Sequence, residues 1–255
     1  MARTKSSLPK SEVAQGTNIL DVKIPPQLRK RIDLGIDWFT EALGGQGMVP
    51  SNVMMLTGTP GAGKSTLFRQ LADSITASGN IAIYNSGEES PYQVAIATER
   101  MKLKNGFKMS QEQQASELIR FARKVQKANP KKTVFILQDS IQTLDDGKYS
   151  NGVTNSSTAL RCTEMLAEWA KETYGIVLFI GQVNKDGQFS GKNGIKHWID
   201  AHAHIYIDDK KSSDTYGERL FEVSKNRWGV TGKTFIVGIQ DTGLYLKGYV
   251  EYVKS

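Results

Sequence analysis

The sequence predicts an α/β fold: a mainly parallel central sheet flanked by helices, with antiparallel hairpins toward the C-terminal end. Two patterns predict it. Up to residue 180, short wholly apolar segments alternate with segments of helical periodicity, as in parallel strands that are buried on both faces. After residue 200, apolar and polar residues alternate over short runs separated by Gly or polar turns, which is typical of antiparallel hairpins.

The composition excludes several classes of protein. With 255 residues, 39% hydrophobic and 23% charged, the chain is neither disordered nor collagen-like. No apolar run approaches the ~20 residues of a membrane span, and no apolar secretion segment opens the chain, so we expect a cytoplasmic protein. The single cysteine, Cys162, excludes an internal disulfide. The net charge of +7 favours a polyanionic partner.

The first residues differ in character from the rest. Residues 1–30 contain a Pro-Pro pair, scattered Ser and Thr and several basic residues, without sustained periodicity. We therefore expect a flexible basic arm over 1–30 and one domain over 31–255. Within the arm, Leu20, Val22 and Ile24 alternate with polar residues and fit either a short added strand or a mobile tail.

The elements of the domain follow from apolar spacing. A helix is indicated by Ile36, Phe39 and Leu43, and Ser110 with Gln113 suggests a capping box opening another. Further helices are predicted at 64–78, 91–103 and 158–173. Strands are predicted at 53–56, 81–85, 134–137, 176–180, 203–207, 220–224, 235–239 and 244–246.

Residues 58–65 read GTPGAGKS and match the pattern G-x-x-x-x-G-K-[ST] between a strand and a helix. The glycines let backbone N–H groups curl round a β-phosphate at the positive end of the helix. Lys64 adds charge on the β- and γ-phosphate oxygens, and the Ser65 hydroxyl completes a Mg²⁺ shell. We predict ATP and Mg²⁺ as cofactors, and the nucleotide-binding residues are Gly58, Thr59, Pro60, Gly61, Ala62, Gly63, Lys64, Ser65 and Thr66.

Two further carboxylates are expected at such a site. An acid that holds Mg²⁺ should end a neighbouring strand, and Asp139 does so, whereas Asp145 and Asp146 fit a solvated loop. A carboxylate just past the strand after the phosphate-binding helix can polarise the attacking water. We favour Glu88 over Glu89, because Glu89 fits an acid in the first turn of a helix.

A resemblance emerges from these residues. The segments GTPGAGKST, YNSGEES, ILQDSIQTL, GQVNKDG and KNRWG resemble the RecA-type ATPase core, and within it the bacterial RadA branch, over about residues 31–248. RadA proper also has a four-cysteine zinc module and a protease-like domain, and it usually has His where this chain has Gln182. We therefore expect a core-only RecA-like ATPase, similar to those often carried by phages and implicated in single-strand DNA binding, annealing and recombination.

The resemblance implies roles for residues far from the phosphate-binding loop. It assigns Gln182 as the sensor of the γ-phosphate. It also implies that Lys225 and Arg227 reach the γ-phosphate of a neighbouring subunit, so that a homo-oligomer, a hexameric ring or a filament, hydrolyses ATP at its interfaces. The alternating strand places both cations on one face, where binding of solvent or of DNA phosphates is the alternative.

The resemblance also implies a DNA surface. Lys185 and Lys192 fall in the loop that RecA-like proteins point at DNA, with Lys196 just after it, and Gly and Lys together suit close approach to a phosphate backbone. Lys148, in the loop 145–157, is a second and weaker candidate. A solvated flexible loop is the alternative in both places. Single-stranded DNA is the expected partner, and single-strand-binding or other replication and recombination proteins are further candidates.

Other patterns have a structural interpretation. His202 and His204 form an H-x-H pair, but His197 is the only other histidine and no Cys lies nearby, so we interpret them as strand-face or interface residues and not as metal ligands. Residues 39–42 fit the F-x-x-A polymerisation motif of recombinases, yet core packing of an amphipathic helix is favoured. Trp169 is expected in the core.

Three functions compete at this stage. The leading hypothesis is a DNA-dependent ATPase acting in homologous recombination, strand annealing or repair. The alternatives are a replicative helicase-type DNA motor and a KaiC-like regulatory ATPase that binds no DNA. The ATPase rate with and without single-stranded DNA separates the third from the others, and a strand-displacement assay separates the first two.

Overall fold

The computed structural model describes residues 13–148, 155–182 and 194–251. Its strands are β1 (Val53–Gly58), β2 (Ile81–Ser86), β3 (Lys108–Ser110), β4 (Val134–Asp139), β5 (Ile176–Ile180), β6 (Ala201–Ile207), β7 (Arg219–Asn226), β8 (Lys233–Gln240) and β9 (Gly243–Glu251). Its α-helices are α1 (Pro26–Arg29), α2 (Asp37–Ala42), α3 (Lys64–Ala77), α4 (Pro91–Arg100), α5 (Ala115–Ala128), α6 (Ser156–Thr173) and α7 (Ile195–Trp198).

The strands form one sheet in the order β3-β2-β4-β5-β1-β6-β7-β8-β9. Every pair from β3 to β6 is parallel, and every pair from β6 to β9 is antiparallel. The predicted fold class is confirmed. Because the carboxyl ends of parallel strands share one edge, the segments that follow β1, β2, β4 and β5 meet there, where ligands bind in open α/β sheets.

The core lies on both faces of the parallel strands. On β1, Met54 and Leu56 face one apolar cluster, which includes residues of α2 and α3, while Val53 and Met55 face a second cluster, which includes residues of α5 and α6. In β1, β2, β4 and β5, every residue is apolar or glycine except Thr57, Tyr84 with its hydroxyl, Asn85, Ser86, Gln138 and Asp139. These strands are buried along their whole length, and their polar residues cluster toward the carboxyl ends, so it is the polarity of the side chains that distinguishes this edge.

Helices α2 and α6, which flank the parallel strands, contribute aromatic side chains to the core as expected. Phe39 is 1% exposed and packs against Trp38 and Phe221, so the F-x-x-A segment is packed in the core within the subunit. Trp169 is also 1% exposed. In the part of the chain that the structure describes, no helix has the length and apolarity needed to cross a membrane.

The predicted capping box at Ser110 and Gln113 is wrong. Ser110 ends β3, and α5 begins only at Ala115. There the backbone N–H of Asp145 donates to the Gln113 carbonyl (2.7 Å), and the Ala115 N–H donates to the Asp145 carbonyl (2.9 Å). A distant loop therefore fixes the start of the helix, which a local motif could not predict.

The strand alternative for the arm is also wrong within the described residues. Ile19–Asp21 form a 3-10 turn, which Asn18 opens by accepting a hydrogen bond from the Leu20 N–H (3.0 Å). Leu20 is 89% exposed, so the apolar alternation is not matched by a buried face. The division into an arm over 1–30 and a domain over 31–255 stays a prediction.

The two acids expected in a solvated loop are instead anchored. Asp145 is 9% exposed and accepts a hydrogen bond from the Gln114 side chain (3.0 Å). Asp146 forms an ion pair with Arg161 on α6, and this arginine lowers the pKa of its carboxyl. Both carboxylates therefore tie the loop to α5 and α6, and the expectation of simple solvation was wrong.

Candidate functional site

The phosphate-binding loop follows β1 at the centre of the sheet. Lys64 opens α3, and its ammonium donates to the carbonyls of Gly58 (2.8 Å) and Thr59 (2.9 Å). Gly63 has φ of 96°, a left-handed conformation that favours glycine. No side chain among the described residues caps the first turn of α3, so its N–H groups are available to an anion.

Two carboxylates lie close to the Lys64 ammonium. Burial lowers the pKa of Lys64, and the negative charges of Asp139 and Glu88 oppose that shift. Asp139 ends β4 and Glu88 follows β2, and these strands pair so that Ser86 lies opposite Asp139. The structure therefore brings the three sequence-predicted residues Lys64, Glu88 and Asp139 together at one edge of the sheet.

A buried hydrogen bond fixes the Asp139 carboxylate. It is 6% exposed, and the Tyr84 hydroxyl donates to its Oδ2 (2.9 Å). Burial raises the pKa of Tyr84, and Asp139 raises it further, so the phenol stays a neutral donor. Ser65 and Asp139 offer a hydroxyl and a carboxylate, the hard oxygen ligands that Mg²⁺ takes alongside phosphates and water. The donor chemistry fits the predicted metal.

The two adjacent glutamates have different partners. Glu89 forms an ion pair with Arg69, which is 4% exposed on α3. Glu88 instead accepts a hydrogen bond from the Ser140 hydroxyl (3.1 Å), next to Asp139. Glu89 thus joins β2 to α3, while the Glu88 carboxylate faces the site, an arrangement that agrees with the preference for Glu88.

Helix α4 begins directly after these glutamates. Its cap residue, Ser90, accepts from the Gln93 N–H (3.3 Å), and the Gln93 side chain accepts from the Ser90 N–H (2.8 Å). This capping box fixes where the turn ends. It therefore limits the freedom of the turn that carries Glu88.

Gln182 lies at the same edge. It comes two residues after β5, whose Ile180 pairs with Leu56 of β1, and the Gly181 N–H donates to the Leu56 carbonyl (2.9 Å). The side chain is exposed. Gln182 is therefore next to the phosphate-binding strand, where a γ-phosphate sensor is expected.

Lys225 and Arg227 lie at the opposite edge of the sheet. Arg227 pairs with Asp200 (2.9 Å), whose other oxygen accepts from the N–H of Val53 at the amino end of β1 (3.1 Å). With a rise of about 3.3 Å per residue, β1 separates this point from Gly58 by about 17 Å. Within one subunit, these cations do not face the subunit's own phosphate-binding loop.

Lys225 also contacts the end of α7, next to the expected DNA surface. Its ammonium donates to the carbonyls of Lys196 and Ile199, each at 2.7 Å, and so holds the end of α7. Burial and the charge of Arg227 lower the pKa of Lys225, as expected for neighbouring cations. The structure therefore brings Lys225 and Arg227 together, at the end of the short helix that follows residues 183–193.

The candidate DNA contacts are only partly described. Lys185 and Lys192 lie outside the described residues. Lys196 is exposed on α7, and Lys148 is exposed at the end of the first described range. They stay predictions.

Several site residues were missed by sequence reasoning. Tyr84, Arg69 and Ser140 contact the acids described above. Of these, the sequence indicated only Tyr84: its hydroxyl lies in an otherwise apolar segment, and a buried polar group needs a partner.

The H-x-H pair lies against β1: the Thr57 hydroxyl is 2.8 Å from both His202 and His204. No group of three or more metal-ligating side chains occurs within 13–148, 155–182 and 194–251.

Comparisons with known proteins identify the relatives of this chain. Residues 51–211 match the family model described as Schlafen group 3, DNA/RNA helicase domain. The DNA repair protein RadA of Bacillus subtilis is 30% identical over 233 residues, 91% of this chain and 48% of that protein. RadA of Aquifex aeolicus is 29% identical over 215 residues, 84% of this chain and 46% of that protein. The chain spans about half the length of these relatives.

Solved structures share the fold. One structure, described as an ATPase domain, matches with a TM-score of 0.74 at 14% identity, over 85% of this chain and 91% of that one. A DnaB-like replicative helicase matches with a TM-score of 0.72 at 15% identity, over 83% of this chain and 61% of that one. At these identities the likeness establishes the RecA-like fold and nothing finer.

Proposed function

This chain belongs to the family described as Schlafen group 3, DNA/RNA helicase domain, and its RecA-type ATPase core is RadA-like; on that basis we propose that it is a DNA-dependent ATPase. In this proposal it binds single-stranded DNA in the cytoplasm and acts in homologous recombination, strand annealing or repair. The observation that carries the proposal is the meeting of Lys64, Glu88 and Asp139 at one edge of the sheet, through the pairing of β2 with β4, the hydrogen bond from Ser140 to Glu88 and the start of α3.

Each residue of the edge would have one task in hydrolysis. The N–H groups at the start of α3 and the Lys64 ammonium bind the phosphates. Ser65 and Asp139 would hold a Mg²⁺ ion, which neutralises charge on the phosphate oxygens. Glu88 orients a water molecule and accepts its proton, while Ser140 fixes the carboxylate. Gln182 senses the γ-phosphate.

The proposed active form is a homo-oligomer, a ring or a filament. Arg227 lies at the amino end of β1, about 17 Å along the strand from the loop at its other end. Lys225 pairs with His202, which lies opposite Met55, about 10 Å along β1 from the loop. They would reach the γ-phosphate of a neighbouring subunit and stabilise the charge of the transition state, as arginine fingers do.

The proposed DNA surface adjoins these cations. Lys185, Lys192 and Lys196 would contact phosphates of a single strand, with Lys148 as a further contact. Lys225 holds the carbonyls of Lys196 and Ile199, so DNA on this surface and ATP at the interface would share one residue. This sharing gives a physical route for DNA-dependent hydrolysis.

The test is the steady-state ATPase rate with and without single-stranded DNA, at fixed Mg²⁺ and protein concentration. We expect hydrolysis in the wild type, raised by single-stranded DNA, and little hydrolysis in Glu88→Gln. A rate that single-stranded DNA leaves unchanged would contradict the DNA-dependent function.

A replicative helicase-type motor is the second candidate, favoured by the family description and by the fold shared with a DnaB-like helicase. A strand-displacement assay on a forked duplex decides between the two. ATP-dependent release of a paired strand supports the motor, whereas annealing of complementary strands without displacement supports the recombination function.

A further inference from the structure

A row of four hydrogen-bonding side chains crosses the sheet beside the phosphate-binding loop. The Thr57 hydroxyl lies 2.8 Å from Nε2 of His202 and 2.8 Å from Nδ1 of His204. Nδ1 of His202 lies 2.8 Å from the Ser224 hydroxyl. The row therefore runs without a gap from Ser224 on β7, through His202 and Thr57, to His204.

One end of the row adjoins the phosphate site. Thr57 directly precedes Gly58, whose carbonyl accepts a hydrogen bond from Lys64. Burial lowers the pKa of His204; the cross-strand Glu222 opposes this shift, and the Lys64 ammonium adds to it. Nε2 of His204 has no hydrogen-bond partner in the described part of the chain.

The other end adjoins the cations of β7. Ser224 directly precedes Lys225 and is the extra residue where the register between β6 and β7 shifts. Such bulges re-aim the side chains beside them. The hydroxyl of Ser224 also lies 3.4 Å from the His202 carbonyl. It can therefore donate either to this carbonyl or to Nδ1 of the same histidine.

Both histidines in the row are neutral at pH 7. Burial lowers the pKa of His202 to about 4, with smaller contributions from His204, Lys196 and Lys225, and the pKa of His204 is lowered as well. A neutral imidazole donates from one nitrogen and accepts at the other. With one proton on each hydroxyl, two patterns keep the Thr57 proton within the row. In a third, Nε2–H of His202 and Nδ1–H of His204 both donate to Thr57, whose hydroxyl donates to the Ala203 carbonyl (3.3 Å), and no proton can pass along the row.

In the first pattern, Nδ1–H of His204 donates to Thr57, and the Thr57 hydroxyl donates to Nε2 of His202. Nδ1–H of His202 then donates to Ser224, whose hydroxyl donates to the His202 carbonyl. Nε2 of His204 is left as a bare acceptor.

In the second pattern, every link is reversed. Ser224 donates to Nδ1 of His202, Nε2–H of His202 donates to Thr57, and Thr57 donates to Nδ1 of His204, whose Nε2 now carries the proton. On each imidazole the proton moves from Nδ1 to Nε2. One proton enters from water at His204 and one leaves to water at Ser224, so the number of protons and the charge stay the same.

We infer that this row is a two-state relay whose direction is set by the occupancy of the phosphate-binding loop and is read at Ser224, beside Lys225. With the loop empty, the positive charge of the Lys64 ammonium acts on His204 and favours a bare nitrogen on its ring. A bound triphosphate brings negative charge, which favours the N–H. The inference rests on the proposed binding of ATP and adds a path from that site to the neighbour-facing cations.

The protein offers a direct measurement, because its only histidines are His197, His202 and His204. Long-range ¹H–¹⁵N spectra of the untagged, ¹⁵N-histidine-labelled protein distinguish the two tautomers of each ring. We expect His202 and His204 to change from Nδ1–H to Nε2–H when a non-hydrolysable ATP analogue is added with Mg²⁺. His197, exposed on α7 and outside the row, is the internal reference and should keep its tautomer.

The variants test the link in the middle. Thr57→Val removes the hydroxyl at similar shape, and Thr57→Ser keeps it. We expect the analogue to change His202 in the wild type and in Thr57→Ser, but not in Thr57→Val. If Thr57→Val does not fold, the wild-type comparison still decides.

Two negative results have separate meanings. If calorimetry shows that the analogue binds while the tautomer of His202 stays the same, the relay is refuted and the ATP site stands. If the analogue does not bind at all, the proposed ATPase function fails, and the relay fails with it.

Discussion

The Lys64 ammonium already has two partners, the carbonyls of Gly58 and Thr59. A bound triphosphate would replace these neutral acceptors by charged oxygens, which form stronger hydrogen bonds. The side chain thus contributes to binding in the ground state as well as to hydrolysis. This distinguishes Lys64 from the acids around it.

Lys64→Ala is therefore expected to weaken ATP binding as well as turnover. Titration of a fluorescent ATP analogue measures the first and a phosphate-release assay the second. The exposed Lys102→Ala variant carries the same change of charge away from the loop and should bind normally. Normal nucleotide affinity in Lys64→Ala would contradict the assigned role.

Glu88→Gln is expected to keep ATP binding and to lose most of the turnover, by roughly 10²-fold or more, because only the activation of water is removed. The control is Glu99→Gln, the same change at an exposed site on α4. Both are compared by nucleotide titration and steady-state hydrolysis. Hydrolysis by Glu88→Gln at the wild-type rate would transfer the role to Glu89.

Residue types and spacing predicted the centre of the site but not its supports. The G-x-x-x-x-G-K-S pattern and the acid at the end of a strand led to Lys64 and Asp139. The sequence could not show that Arg69 pairs with Glu89, because the two belong to different elements. Nor could it show the contacts of Thr57 with both histidines, which depend on the register of β1 with β6.

At the scale of elements, β1 and β6 approach each other too closely for a side chain at the start of the phosphate-binding loop. A Cβ atom added to Gly58 would lie 2.0 Å from the carbonyl oxygen of Ile205. A side chain at this position would therefore push the two strands apart. The glycine is required by the sheet as well as by the phosphate.

Gly58→Ala is expected to destabilise the fold by about 1–3 kcal/mol, the usual cost of overpacking. Thermal unfolding should show a melting temperature lower by roughly 2–4 °C for each kcal/mol. Gly248→Ala in β9 is the matched control, because no atom lies within 4 Å of the added Cβ. Equal melting temperatures for the two variants would contradict the described contact.

The end of β7 carries the second element-scale prediction. Lys225→Ala and Arg227→Ala should bind ATP nearly normally but hydrolyse it slowly, by up to ~10³-fold, since a charge delivered to the transition state is lost. Mixing either variant with Lys64→Ala should restore part of the activity, because one interface then pairs an intact loop with intact cations.

Steady-state hydrolysis of the mixtures measures this rescue, with Lys210→Ala as an exposed control expected to behave like the wild type. No rescue, in mixtures where co-assembly is confirmed by crosslinking, would remove both residues from the neighbour's site. Full ATPase activity of a monomeric wild-type protein would contradict the assignment in the same way.

At the scale of the molecule, the net charge of +7 gives the DNA prediction. Binding to single strands should fall steeply with salt, because cations on the protein replace counterions on the phosphates. Lys185→Ala combined with Lys192→Ala should flatten the salt slope by about one unit for each lost phosphate contact.

Fluorescence anisotropy over a series of salt concentrations measures this slope. The control combines Lys102→Ala with Lys104→Ala, two exposed lysines just before β3 at the other end of the sheet. Equal slopes in the two double variants would show that the loop is not the DNA surface.

The fold as a whole could be predicted because its determinants are periodic. The buried parallel strands and the alternating C-terminal strands were each visible in the sequence. What could not be predicted depends on distant contacts: Asp145 sets the start of α5, and β3, only three residues long, is defined by its pairing with β2. In the arm the error is of the opposite kind. The alternation of Leu20, Val22 and Ile24 suggested a strand, but a strand also needs a neighbouring strand to pair with, which alternation does not predict.

The distance along β1 between the phosphate-binding loop and the cations determines how many complete sites an assembly of subunits contains. If each complete site needs a loop from one subunit and cations from the next, the contact is head-to-tail and uses two different surfaces. A linear assembly of subunits then always has one loop without cations at one end and one set of cations without a loop at the other. Closure into a ring completes the missing site. Specific activity should therefore rise with the length of a linear assembly and increase further when the ring closes.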